Sequence, residues 1–175
     1  MVVKSGRPDA GRDKPIGEVV NAETFREACS RMASSVSVAT VVGPGGEPQG
    51  LTISSFTPVS LEPPLVLISI GNETPLLDYF LRSEWFAVSV LEETQRGIAG
   101  AFAEKPEGRF DGVSWKQGVY GPPLIDGSVA AFECRRTGEY RAGDHTVLFG
   151  EVARVRVAEG KPLLYGARGY RRLAL

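Results

Sequence analysis

Apolar and polar positions along this chain change period several times, and the changes mark its elements. Residues 1–20, with the run KSGRPDAGRDKP, are polar and rich in Gly and Pro. Such a segment buries too little apolar surface to offset its ordering entropy, so a flexible tail is expected there. Order is expected from Asn21, which suits the N-cap of a helix carrying Phe25, Cys29, Met32 and Ala33 on its apolar face. The β-branched run SVSVATVV (35–42) reads as a strand, and GPGGEP as the hairpin turn into a second strand at 49–55.

The stretch GLTISSFTPVSLEPPLVLISI (50–70) is the most informative. Thr52, Ser54 and Ser55 stand among Leu51, Ile53 and Phe56, then Glu62-Pro63-Pro64 turns the chain into the nearly unbroken apolar run 65–70. Proline fixes φ and brings no N–H to a ladder, so the paired prolines mark a strand boundary. Two strands meeting at a corner, with hydroxyls and backbone N–H groups on one cleft, make a pocket for a planar, phosphate-bearing ligand. Half-exposed strands also carry Thr and Ser for structural reasons, so the residues alone leave both roles open.

Downstream, Gly71-Asn72 is expected to turn, Thr74 to cap a short helix ending at 80 or 81, 85–91 to form a strand and 93–103 a helix. The segment 104–123, broken by Gly108, Gly112, Gly118 and Gly121, reads as loop. Strands follow at 128–140, with Ala130, Phe132 and Cys134 on one face, and at 146–157, with Ala153, Val155 and Val157 opposite Arg154 and Arg156. Residues 141–144 join them as a tight antiparallel hairpin, and 163–165 is a short last strand. A count of about six or seven mostly antiparallel strands, with about three covering helices, favours a barrel over a layered α/β sheet.

Composition narrows the function classes. The 175 residues suit one domain, 21–175, after the tail. The 20 basic and 21 acidic residues nearly cancel, which argues against nucleic acid or an anionic membrane surface as partner. No apolar run is long enough to cross a bilayer, so a soluble cytoplasmic protein is the expectation. Cys29 and Cys134 form no CxxC pair and His145 is the sole histidine, which leaves no metal-ligand pattern. The cluster GPGGEPQG (43–50) leads into a strand and matches neither a dinucleotide fingerprint nor a phosphate loop. There is no GxSxG elbow either.

The remaining candidates are few. Ser69, Gly71, Thr74, Phe102 and Ala103 fall after strands or at helix termini, where unpaired N–H groups can help hold a phosphate. His145 follows Asp144 at a hairpin, and neighbours on a strand point to opposite faces, so the two need not touch. In GARGYRRL (166–173), Arg168, Arg171 and Arg172 are either solvated or available to a phosphate, with Tyr170 beside a ring.

Six pieces, FREACSRMASSVSVATV, GLTISSFTPVSLEPPLVLISI, WFAVSVLEETQ, AFAEKPEGRFDGVSW, AFECRRTGEYRAGDHTVLFGEV and PLLYGARGYRRL, run in order over residues 24–173. Together they resemble the short-chain flavin reductases, the reductase components of two-component flavin-dependent monooxygenases. The resemblance implies a split β-barrel that dimerises, with flavin near the subunit interface. It puts Gly50, Thr52, Ser54 and Ser55 on the strand that contacts the isoalloxazine edge and ribityl chain. Ser69, Gly71 and Thr74, with Phe102 and Ala103, fall where that family holds the phosphate. The motif Gly143-Asp144-His145 implies a histidine near the nicotinamide, orienting its carboxamide, and Tyr170 matches an aromatic at the same pocket. The implied activity is hydride transfer from NADH or NADPH to FMN or FAD, with diffusible reduced flavin supplied to a partner monooxygenase. A second reading on the same barrel is a non-catalytic flavin-binding carrier or sensor, and NADH oxidation dependent on added flavin separates the two.

Overall fold

The computed structural model describes residues 20–104 and 107–173. The segment read as a tail lies, apart from Val20, outside the described residues. Helix α1 (Ala22–Ser30) starts as expected, with Asn21 Oδ1 accepting the Thr24 N–H at 2.8 Å. It buries none of its residues, and Phe25 and Met32 are 62% and 71% exposed. The expected apolar face therefore does not seat this helix. It is tied instead by the Ala167 N–H donating to the Ser30 carbonyl at 2.8 Å and by the Arg168–Glu27 ion pair.

The other elements are β1 (Ser34–Ser35), β2 (Ser37–Val42), β3 (Pro48–Ile53), β4 (Thr57–Leu61), β5 (Pro64–Gly71), α2 (Leu77–Arg82), β6 (Trp85–Val90), α3 (Arg96–Glu104), β7 (Trp115–Gln117), β8 (Pro123–Ile125), β9 (Ala130–Ala142), β10 (His145–Val157), β11 (Leu164–Gly166) and β12 (Gly169–Arg171). Seven of these strands form one antiparallel sheet in the order β3-β2-β6-β9-β10-β5-β4. Small sheets β1-β11-β12 and β7-β8 flank it. The architecture is mainly β with covering helices, as expected. No ladder among the described residues joins β3 to β4, so the main sheet keeps two ends.

Alternation along each strand divides the core in two. Ala39 and Val41 of β2, Ile53, Val66, Ile68, Ile70, Phe86, Val88, Cys134 and Leu148 share one cluster, closed by Leu76, Leu77 and Phe80 around α2. Val36 and Val38, of opposite parity, join Leu91, Ile125, Leu163 and the α3 residues Ala99 and Phe102 in a second. The two clusters thus bury β2 on both sides. Gly150 of β10 lies where a Cβ would meet the Phe86 ring at 2.5 Å and Cys134 Cβ at 2.9 Å, so close packing there requires a bare residue. Burial, with the Glu133 charge second, pushes the Cys134 thiol up to about 12, which leaves it a packing residue.

Several expectations are corrected. The strand expected at 49–55 ends at Ile53, and a separate strand, β4, precedes the prolines. The apolar run 65–70 lies in β5 and is buried on one face only: Val66, Ile68 and Ile70 are buried, while Leu65 and Leu67 on its other face are half-buried. Helix α2 starts at Leu77, and Thr74 is not its cap; the Thr74 carbonyl accepts from the Leu77 N–H, and its own N–H donates to Gly71. Helix α3 begins at Arg96 rather than 93, and the expected loop 104–123 contains β7. Val155 and Val157 are 49% and 77% exposed, because beyond Glu151 strand β10 has left β5 and is paired with β9 alone.

Candidate functional site

Two adjacent serines after β3 have different fates. Ser55 Oγ accepts the Ser69 N–H at 2.9 Å and donates to the Ser69 carbonyl at 3.1 Å, acting as a strand partner for β5. This bond pair ties the end of β3 to β5, which stands far from it in the sheet order. Ser54 is exposed and lines a groove. Just before them, Thr52 Oγ1 donates to the Ala99 carbonyl of α3 at 2.7 Å. Gly50 is buried where a Cβ would stand 3.0 Å from both the Phe102 ring and the Ala39 carbonyl. Its own carbonyl accepts from Arg109 Nη1 at 2.8 Å. Phe102 is 1% exposed and belongs to the core, whereas the next residue, Ala103, is exposed at the groove.

The groove has two compartments that share Ser54 and Tyr165. The smaller, about 270 Å³, is walled by Val36, Thr52, Ile53, Ala103 and Tyr170. Tyr170 meets Tyr165 edge-on at 5.6 Å, and the Arg96 guanidinium stands 5.2 Å from its ring centroid. The larger, about 790 Å³, runs between α1 and the β11–β12 hairpin, past Glu23, Arg26, Cys29 and Arg168. Arg171 is folded onto the Tyr170 and Ala167 carbonyls and serves its own hairpin.

The β9–β10 hairpin carries the histidine. Gly143 turns the chain at φ +61°, and His145 Nδ1 lies 2.8 Å from Asp144 Oδ1. Sequence neighbours on a strand need not touch, and these two do because Asp144 sits in the turn, outside the strand alternation. The His145 bond, with Arg26 a smaller cause, holds the Asp144 carboxyl below its usual range. Asn72 staples this tip: its N–H donates to the Asp144 carbonyl at 2.9 Å and its Nδ2 to the Gly143 carbonyl at 3.0 Å. Its Oδ1 accepts from Thr146 Oγ1 at 2.7 Å. His145 pairs with Gly71 across the ladder, and its Nε2 is 3.9 Å from where a Gly71 Cβ would stand. With Nδ1 committed to Asp144, Nε2 is the ring nitrogen available to a ligand.

The expected site residues thus fall into three groups. Thr52, Ser54, Ala103 and Tyr170 line the groove. Ser55, Ser69, Gly71, Thr74 and His145 belong to the framework at the ends of β5 and β10. Gly50 of β3 and Phe102 of α3 pack against each other. Asn72, Tyr165, Arg26 and Arg96 were not singled out from sequence; a Gly-Asn turn and a second tyrosine in LLYGARGY were the available signals. Among the described residues no group of three or more His, Cys, Asp or Glu could hold a metal, and no helix is long and apolar enough to cross a membrane.

Comparison with known proteins places the chain in a family. Residues 29–174 match the family model described as "Flavin reductase like domain". An "FMN reductase (NADH)" of Agrobacterium fabrum is 37% identical over 160 residues, spanning 91% of this chain and 90% of that protein. The reductase component of 4-hydroxyphenylacetate 3-monooxygenase from Thermus thermophilus is 37% identical over 152 residues, spanning 86% and 96%. An NADH:FAD oxidoreductase of Streptomyces globisporus, solved in complex with NAD and FAD fragments, superposes with a TM-score of 0.83 at 38% identity, covering 90% of this chain and 97% of that one. With matching sequence and superposable strands along nearly its whole described length, this chain belongs to the flavin reductase like domain family.

Proposed function

We propose that this protein is an NADH-dependent flavin reductase that takes FMN or FAD as acceptor and supplies diffusible reduced flavin to a partner monooxygenase. The observation that carries the reading is the Ser54-Ser55 joint: one serine lines the groove, and its neighbour bonds it to β5, whose end pairs with His145. The small compartment suits a planar ring. Val36, Ile53 and Tyr170 offer an apolar and aromatic wall, and the hydroxyl oxygens of Thr52 and Ser54 can meet a polar edge. Ser54, Ala103 and Tyr165 are exposed, so a ligand held there is free to leave. When bound, flavin and nicotinamide supply the redox chemistry, a hydride passing from the nicotinamide C4 to the flavin N5. The chain's own task is alignment. His145 Nε2, fixed through Asp144 and Asn72, orients the nicotinamide carboxamide, and Tyr170 closes the other side.

At Ser69 and Thr74 the side-chain hydroxyls are the groups left to meet a phosphate, since both N–H groups are already spent within the chain. We also propose a split barrel that works as a homodimer in the cytoplasm. The shared cluster of residues from β2, β3, β5, β6, β9 and β10 supports curling of the sheet about one core. Exposed Leu61 (90%) on β4 and half-buried Leu65, Leu67 and Phe149 on the outer face of β5 and β10 support a partner surface there.

The test is steady-state oxidation of NADH and NADPH with FMN, with FAD and with no flavin. Turnover that needs added flavin and prefers NADH is expected; absence of turnover in every pairing overturns the reading. His145→Ala is expected to raise the nicotinamide KM while flavin affinity holds, and unchanged kinetics would remove His145 from the site.

A further inference from the structure

The larger compartment of the groove is more than a single ring system needs, and its two arginines are in different states. Arg168 Nη2 lies 2.6 Å from Glu27 Oε2, at a turn where Ala167 and Arg168 adopt φ +48° and +58°. Its charge is compensated and its backbone constrained. Arg26 makes no hydrogen bond or ion pair with any described residue, yet it stands close enough to Asp144 to act on that carboxyl. It lines the compartment, with its charge within reach of the Asp144 carboxyl. Glu23 precedes it by one helical turn on the same face of α1. Tyr165, 42% exposed where the compartments meet, offers a ring face.

An available guanidinium, a carboxylate one turn away and an aromatic ring form the donor set for a nucleotide. Arginine suits a phosphate, a carboxylate accepts from ribose hydroxyls and repels a 2′-phosphate, and a tyrosine face stacks on a base. Resting on the function proposed above, we infer that the compartment between α1 and the β11–β12 hairpin seats the adenylate half of NADH, with Arg26 as partner of its phosphate and Glu23 facing its ribose. The nicotinamide half then extends to His145. Locked to Glu27, Arg168 shapes the wall and adds no second free cation.

A flavin phosphate has the same chemistry as an adenylate phosphate, so the experiment separates the two sources. Arg26→Ala and Arg26→Lys are assayed with NADH and with reduced nicotinamide mononucleotide, which lacks the adenylate. Binding of ADP-ribose and of FMN is measured separately by calorimetry. Arg26→Ala should raise the KM for NADH about tenfold with kcat held within about twofold, and should weaken ADP-ribose by a similar factor. The KM for the mononucleotide and the affinity for FMN should move less than about twofold, and Arg26→Lys should recover part of the loss. Equal rises for both nicotinamides, or weakened FMN with ADP-ribose unchanged, overturn the inference, the latter giving Arg26 to the flavin phosphate. Unaltered NADH kinetics in an active enzyme overturn it too. Absence of flavin-dependent turnover in the parent protein defeats the reductase reading instead; ADP-ribose binding, weakened or not by Arg26→Ala, then decides the inference.

Discussion

Two regions of the molecule, the β5 and β9–β10 tip and the groove beside α1, are built on opposite plans. The region made by β5 and the β9–β10 tip spends its polar groups on itself: Ser55 on Ser69, Asn72 on Gly143, Asp144 and Thr146, and Asp144 on His145. The groove between α1 and the β11–β12 hairpin leaves its lining residues Glu23, Arg26 and Ser54 exposed, and α1 buries no residue. A side chain that must hold an angle needs a backbone whose donors and acceptors are already matched. A side chain that must meet a ligand needs unspent valences. The contrast therefore separates residues spent within the fold from residues left open to a ligand, even where they are neighbours in sequence.

The largest expected effect lies beneath the self-bonded region. Gly150→Ala drives a methyl into the Phe86 ring and Cys134, and should destabilise the fold by about 2–3 kcal/mol in denaturant unfolding. A loss under about 0.5 kcal/mol would mean that Phe86 moves aside and that this region is softer than drawn. Asn72→Ala should cost about 1–2 kcal/mol, since it leaves the Gly143 carbonyl and the Thr146 hydroxyl without their partner. It should also lower kcat/KM for NADH while flavin affinity holds; an equal loss of both would show that the tip serves the whole groove.

The adjacent serines sharpen the comparison most directly. Ser55→Ala should cost about 1 kcal/mol of stability, whereas Ser54→Ala should leave stability within about 0.5 kcal/mol and weaken flavin binding severalfold. If the two variants behaved alike, the division into positioning and binding residues would collapse at the point where it is drawn. The smallest effect is electrostatic. A lowered Asp144 pKa means that its bond to His145 contributes above the ordinary carboxyl range and is lost as pH falls through the depressed value. Carboxyl-detected NMR should show Asp144 titrating below the 3.8 of a free aspartate, and rising toward it in His145→Ala. An ordinary value in the parent protein would mean that the bond is not held in solution.

Much of the fold was legible because its signals are local. Asn21 caps α1 through a residue three positions on, GPGGEP turns β2 into β3, and Gly143 turns β9 into β10. The short strands β4, β7, β8 and β12 were not, since runs of three to five residues carry too little alternation to stand apart from a loop. Of the candidate site, His145, Ser54, Thr52, Ala103 and Tyr170 were reachable from motif and position. Asn72 was legible only as a turn residue, because its value lies in three bonds to a hairpin some seventy positions away.

The same division of range explains the rest. Strand and turn identities, the even charge balance and the ordered motifs of a flavin reductase are all present in the order of residues, because neighbours a few positions apart set them. Folding alone makes Ser55 a strand partner and Ser54 a groove residue. It also bends Asp144 onto His145, and spends Arg168 on Glu27, 141 positions away, while Arg26 stays available. Such assignments follow from which donors and acceptors meet in space, and pairings over that separation leave no mark on local pattern.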